Sequence, residues 1–437
     1  MVNIYGIDLG TTYSMIGLRD NLLSGLVPSI ANVNTKLAGE KLLNDEKAKR
    51  SFKVNMSLGK EGNISIYASA LVLRELKTIA GGDSVTDVII SVPAYFSDNQ
   101  RQATLKAASL VKLKVHALIN EPTAAAIYIG QNRKSLFVVY DLGGGTFDVS
   151  IVDGRFGYYD VQASDGCILG GDNLDILILK YLVKAASISR HRLTERDRFR
   201  LAMLARDVKH AIQKTRMDIT VDLTGYGAGE INFTEDIYID LMKMCFADTV
   251  SKTKQVIHEY IPEGDDYDVV LVGGSIRCPY LQKWITEEIK APLEIKYNPD
   301  EAVARGVSLY ADMFSKNLSA KMLSDVTKAL SVELSDGTVQ RVIDSNSKIP
   351  TEESLLLVND RDSDKICVNL YQGDSILAKD NECIGQLIYS FTDQKRAGEG
   401  EVIVTVTVEN NGLILVKCKE LLGQEQSITL DRTTVSI

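Results

Sequence analysis

Two stretches about 130 residues apart repeat one pattern, and that repeat constrains the fold more than any other feature of the chain. Residues 3–18 run as an apolar strand, an Asp8-Leu9-Gly10-Thr11-Thr12 turn and a second apolar strand. Residues 136–152 do the same through Asp141-Leu142-Gly143-Gly144-Gly145-Thr146. Repeated sequence means a repeated unit, so two similar α/β lobes are expected. A tight turn exposes several backbone N–H groups, and glycine lets them approach phosphate oxygens without a Cβ clash. Threonine hydroxyls add donors. An aspartate at each strand end suits Mg²⁺ held through its waters, because that ion gives up water reluctantly. A single turn of this kind reads equally as an ordinary hairpin. Two matched copies facing one cleft read as phosphate loops.

Around this repeat, residues 87–93 form a β-branched run ending at Pro93, a buried strand. Residues 98–113 follow as a helix with Ala103, Ala107, Leu110 and Val111 on one face and Ser97 or Asp98 as cap. A helix pair is expected over residues 175–214, interrupted near 187–194. Residues 269–272 make a short strand ending in Gly273-Gly274-Ser275, which alone is either a plain connection or an adenosine seat; a helix then starts near Pro279. Beyond about residue 320 the helical patterns stop. Residues 366–371, 402–408 and 413–418 alternate as strands, the last two flanking an Asn411-Gly412 hairpin turn. The expected division is therefore 1–317, a linker at 318–325, and an all-β module at 326–437.

Bulk properties exclude several classes. At 437 residues more than one core is expected. A net charge of −9 argues against nucleic acid or an anionic membrane as the main partner. No apolar run is long enough to span a bilayer, and no secretory signal opens the chain. Cys167, Cys245, Cys278, Cys367, Cys383 and Cys418 form no CxxC pair, which fits a reducing cytoplasm. In Asn120-Glu121-Pro122-Thr123-Ala124-Ala125-Ala126 the carboxylate either orients an attacking water or merely sits at a helix start.

In this order, Ile7 to Thr12, Val92 to Phe96, Ile119 to Ala126, Tyr140 to Asp148, Leu271 to Gly274 and Asn298 to Ala304 closely resemble the signatures of DnaK-type (seventy-kilodalton heat-shock) chaperones. The likeness continues through Ile349-Pro350-Thr351, Tyr371 to Asp374, Ile384-Gly385-Gln386 and Asn411 to Ile414. It implies an actin-like ATPase domain, a β-sandwich peptide-binding domain and an ATP-driven cycle acting on unfolded or extended polypeptide. The chain ends after the β module, so no helical lid is expected.

Position by position, the resemblance makes Asp8 and Asp141 the Mg²⁺-shell carboxylates. Gly10, Thr11, Thr12 and Tyr13 become one phosphate loop and Gly143, Gly144, Gly145 and Thr146 the other, with Gly170 and Gly171 beside them. Lys53, Glu121, Asp148 and Thr146 become the catalytic set. Lys53 rests on a Phe-Lys match, with Lys49 and Lys60 as alternatives and a solvated lysine as the plain reading. Gly273, Gly274, Ser275, Arg277, Asp300 and Lys209 fall on the adenosine side. Pro93, Arg101 and Asp325 pass nucleotide state between domains. Val332, Leu357, Ile366, Val368 and Leu370 line the peptide pocket, or are simply sandwich core.

The departures are equally specific. The segment from Pro28 to Lys53 is short, as in the HscC-like branch, which puts the usual nucleotide-exchange factor in question. Ala117 replaces an arginine used by J-domain partners. Arg206 stands where an acidic ribose contact is expected, and Ser335 and Asp360 where apolar residues arch over the peptide. The linker has lost leucines, each worth roughly 1–2 kcal/mol of docking. These changes motivate a rival reading as a nucleotide-dependent regulatory or adaptor protein with one dedicated partner. A small-molecule kinase of the same fold is a third, weighed down by the β module.

Overall fold

A computed structural model describes residues 2–57, 62–130, 135–155, 158–189, 191, 193–295, 297–316, 323–421 and 425–426. The first lobe is built on a sheet of β1 (Ile4–Leu9), β2 (Tyr13–Leu18), β3 (Asn21–Leu22), β4 (Val27–Pro28), β7 (Asp87–Val92) and β8 (Lys114–Asn120). A small hairpin, β5 (Ala31–Asn32) with β6 (Leu37–Ala38), sits beside it. β1 pairs antiparallel with β2 and parallel with β7, which pairs parallel with β8. Helix α1 (Asn63–Ala80), α2 (Asp98–Leu110) and α3 (Glu121–Gly130) cover this part of the chain. β1 and β7 are buried along nearly their whole length because both faces are covered, whereas β8 is buried only over its last three residues.

The second lobe repeats the plan. β9 (Leu136–Leu142) and β10 (Phe147–Asp153) form the second hairpin, followed by β11 (Tyr159–Cys167), and all 14 residues of the hairpin strands are buried. Helices α4 (Gly171–Ala185) and α5 (Glu195–Thr215) are the expected pair, though α4 begins at the glycines themselves. Hairpin β12 (Ile219–Asp222) with β13 (Glu230–Phe233) and the long α6 (Glu235–Tyr260) were not legible as separate signals. β14 (Tyr267–Val272) runs parallel to β9, and α7 (Pro279–Ile289) starts on its proline. Strand β15 (Leu293–Glu294) edges the sheet, and α8 (Ala302–Ser315) packs back on the first lobe.

From Leu323 onward the described chain is strands and one short 3₁₀ turn. These strands are β16 (Leu323–Thr327), β17 (Leu330–Glu333), β18 (Val339–Ile343), β19 (Ser347–Ile349), β20 (Thr351–Val358), β21 (Ser363–Gln372), β22 (Glu382–Lys395), β23 (Glu401–Val408), β24 (Ile414–Glu420) and β25 (Glu425–Gln426). Two four-stranded sheets, β18-β17-β21-β22 and β20-β23-β24-β25, share one apolar core. The Asn411-Gly412 turn joins β23 to β24, with Gly412 at φ +74° as a left-handed turn position requires. Residues 318–322 of the expected linker lie outside the described residues. Its remainder is strand: β16 adds parallel to β11, and β19 of the β module adds antiparallel to β16. One sheet, in the order β15-β14-β9-β10-β11-β16-β19, thus crosses from the second lobe into the β module.

Candidate functional site

Each repeat turn folds as a hairpin whose strands are fixed by buried apolar residues, so the glycines between them are held against one another. A Cβ on Gly10 would lie 2.1 Å from the Tyr13 carbonyl oxygen, and one on Gly144 would lie 1.8 Å from Thr12 Oγ1. The two turns therefore abut across a cleft, backbone to side chain. A Cβ on Gly145 would meet Thr11 Cγ2 at 2.7 Å, and one on Gly273 (φ +88°) would meet the Leu142 carbonyl at 2.5 Å.

A cavity of about 630 Å³ opens between the lobes. It is lined by Asp8, Gly10, Thr11, Thr12, Tyr13, Lys53, Glu121, Asp141, Gly143, Gly144, Thr146, Gly171, Lys209, Gly273, Gly274, Ser275, Arg277 and Asp300. Gly145, Gly170 and Asp148 stand just behind this wall. Gly170 packs on the Gly144 backbone, and its Cβ would come within 2.5 Å of it. Asp148 faces Asp141 across the β9–β10 ladder, and its Oδ1 accepts from the Ala94 N–H at 2.9 Å and the Tyr95 N–H at 3.3 Å.

Acidic groups crowd one end. Asp8, Glu121, Asp141 and Asp148 are all buried. Burial pushes the Asp8 carboxyl up to about 7, with the Glu121 charge adding to it and Lys53 opposing. The same causes, burial first and Glu121 next, push Asp148 up to about 8 and Asp141 well above its ordinary value. Such a set calls for a cation. Lys53 supplies one: only 2% exposed, it ion-pairs with Glu121 and lies over the Phe96 ring at 5.7 Å. The alternatives do not compete for this place, since Lys49 is exposed and Lys60 lies outside the described residues.

A second cation also fits. Asp8 and Asp141 project from equivalent strand ends, and Ser91 Oγ donates to Asp8 at 2.8 Å. Among the described residues no three His, Cys, Asp or Glu side chains gather as a ligand set. Two carboxylates beside a phosphate cradle suit an ion that keeps most of its water, as Mg²⁺ does. Thr11 Oγ1, buried and without a hydrogen-bond partner, is a donor awaiting an acceptor.

The far end is a hydrogen-bonded frame. Gly143 carbonyl accepts from Ser275 Oγ at 2.8 Å and from the Gly171 N–H at 3.1 Å, and the Gly144 carbonyl accepts from the Asp172 N–H at 2.7 Å. Lys209 bridges the Gly171 carbonyl (3.1 Å) and Asp175 (2.7 Å), while Arg277 pairs with Asp300. Sequence reasoning missed Asp172, Asp175, His210, Gln213 and Lys214, which also line the cavity. His210, next to Lys209, was the one with a local signal. Arg206 lines this end with them. Over the top, Ser51 bonds Asp172, Glu46 meets Arg196 at 3.0 Å, and the Arg50 guanidinium lies 4.9 Å from the Phe199 ring centre. The short 28–53 segment therefore reaches across the cleft.

A second cluster forms where the β module meets the first lobe. Arg101 donates to Asn120 Oδ1 at 2.6 Å and to the Phe96 carbonyl at 3.3 Å. Asn120 Nδ2 and Thr123 Oγ1 each reach Asp325 Oδ2 at 3.0 Å. Pro93 opens the loop that leads into α2, its carbonyl accepting from the Phe96 N–H. Of the expected peptide-pocket residues, Val332, Ile366, Val368 and Leu370 are buried in the sandwich core and Leu357 packs partly buried against it; Ser335 and Asp360 are exposed.

Compared with protein-family models, residues 28–435 match that of the Hsp70 protein family.

Proposed function

The chain belongs to the Hsp70 family, and from that premise we propose that it is an ATP-dependent molecular chaperone. An actin-like ATPase domain over residues 1–317 would bind and slowly hydrolyse ATP. A β-sandwich over 326–437 would hold extended apolar peptide, and residues 318–325 would link the two. What carries this reading is the paired-hairpin cleft, with its buried Lys53–Glu121 pair, set beside a linker strand shared by both halves.

The family resemblance, with the clustering of these residues at one cleft, supports the following roles. The N–H groups of both turns and the Thr11, Thr12 and Thr146 hydroxyls bind the phosphates, and Asp8 and Asp141 hold Mg²⁺ through water. The ion supplies neutralisation of phosphate charge. Lys53 would orient the γ-phosphate and the attacking water as a compact point charge, with Glu121 and Asp148 flanking that water and one of them accepting its proton. Lys209, Ser275, Arg277 and Asp300 seat the nucleoside. Arg206 at the ribose end weakens that seat.

The same proposal places the chain in an HscC-like branch, on the short 28–53 segment, and in the cytoplasm, on its scattered cysteines. Unfolded polypeptides are the partners; a J-domain protein is in question through Ala117, and an exchange factor through the short segment.

The test is ATP turnover by the wild type and Lys53→Ala, with and without a short apolar peptide. Slow turnover that rises with peptide and falls by at least about a hundredfold in the variant is expected. Tight ATP binding with no turnover and no peptide response would instead favour the regulatory reading, which the altered Arg206 and Ala117 positions motivate.

A further inference from the structure

Loop 93–97, between β7 and α2, carries the two N–H groups that hold Asp148, and the β module grips this loop from both sides. At one end Lys328, just beyond the linker strand, donates its ammonium to the Tyr95 carbonyl and lies 5.6 Å from the centre of the Tyr95 ring. At the other end Glu382 accepts from Ser97 Oγ at 2.7 Å, while Gln372 accepts from the Asp98 N–H at 3.1 Å. The charge of Lys328 is costly where it sits. Withdrawal from water lowers its pKa; the Glu382 charge opposes this most, the Arg101 cation adds to the cost, and Asp148 and Asp165 offset it less. A thioether of similar length would fill the same space without that penalty. Docking strength therefore does not explain the ammonium. Its bond is to the carbonyl of Tyr95, the residue whose own N–H, one peptide unit earlier, reaches Asp148.

We propose that Lys328 is a positioning residue through which the docked β module restrains ATP hydrolysis, by fixing the Tyr95 segment of the loop that holds Asp148. This rests on the chaperone reading above. The grips at the other end, Gln372 and Glu382, sit on β21 and β22, and β21 also carries Val368 and Leu370 of the expected peptide pocket. Peptide engagement at that sheet is thus mechanically continuous with the loop, and loosening the loop is how peptide raises turnover.

The experiment compares wild type, Lys328→Met and Lys328→Arg as full chains. Single-turnover hydrolysis of prebound ATP is measured with and without peptide, alongside ATP affinity and amide hydrogen exchange over Leu323–Thr327. In Lys328→Met the basal rate should rise about fivefold, within the roughly hundredfold that a shift of about 1 Å at a reacting group is worth. Peptide should then add little, while ATP affinity and the protection of the linker strand stay at wild-type values. Lys328→Arg should behave as wild type. Lys348→Met, which removes an ammonium from Asp160 and the Val161 carbonyl elsewhere on the interface, shows what plain weakening of docking looks like. A Lys328→Met rate at or below wild type overturns the inference, as does a raised rate that comes with lost linker protection. Wild-type turnover with an unchanged Lys328→Met overturns the inference alone. No wild-type turnover overturns the ATPase reading and takes the inference with it.

Discussion

At the scale of single residues, the cleft depends on how closely the two turns can approach. Gly144 is a clear case, because a Cβ there would lie 1.8 Å from Thr12 Oγ1 and 3.1 Å from Thr12 Cβ on the other turn. Gly144→Ala must therefore push the two turns apart, at a cost of about 1–3 kcal/mol of stability if the fold absorbs it. ATP affinity measured by calorimetry should fall at least about tenfold, in proportion to about 1.4 kcal/mol of lost cradle contact. An unchanged affinity would mean that the turns do not jointly hold phosphate. At this scale the sequence was readable where chemistry is local: Asp8, Asp141 and the glycines announce themselves by their repeat. Lys53 was harder, since a lysine beside a phenylalanine looks like any surface lysine. Only burial against Glu121 and Phe96 distinguishes it, and that is a property of packing between distant segments.

At the scale of elements, the segment with the most to say is the linker strand. Sequence marked residues 318–325 only as a linker, and the described part of it, from Leu323, is strand. It pairs as β16 because β11 offers an open parallel edge and Asp325 is met by Asn120 and Thr123. Edge pairing of this kind leaves no trace in the strand's own residues. Burial holds the Asp325 carboxyl above its ordinary 3.8, against hydrogen bonds from Val326, Thr123 and Asn120 and the nearby Arg101 charge. Its docked state thus binds a proton more tightly than its undocked state. That contribution is complete below about 3.8 and disappears as pH rises through the docked value. Mild acidification should accordingly strengthen docking through this residue. Asp325→Ala leaves Asn120 and Thr123 facing a gap and should weaken docking by about 2 kcal/mol. Hydrogen exchange of Leu323–Thr327 measured from pH 7.5 downward checks both, with the pH response lost in the variant. Helix α2, by contrast, starts where the sequence placed it, on Ser97 of the two offered caps, since capping is written in adjacent residues; it stops at Leu110, which is exposed, and not at residue 113.

The whole molecule joins a two-lobed α/β half to a β half through one sheet. The change of character near residue 320 was visible as the end of helical periodicity, and the hairpin at Asn411-Gly412 as a turn dipeptide. What could not be read was the arrangement of the halves. The contacts that join them, from Arg101 to Asn411, Lys328 to Tyr95 and Lys348 to Asp160, link residues more than 180 positions apart. The peptide pocket shares that limit, because inward positions such as Val368 and Leu370 read identically as core and as groove. Under the proposed function, nucleotide in the cleft governs the β module. The most direct measurement of this is the release rate of a labelled apolar peptide from the full chain, with ATP against ADP. Release should be at least about tenfold faster with ATP, an effect of about 1.4 kcal/mol, and that difference should be lost in Asp325→Ala. Equal release rates with ATP and ADP, from a chain that binds both nucleotides, would contradict it.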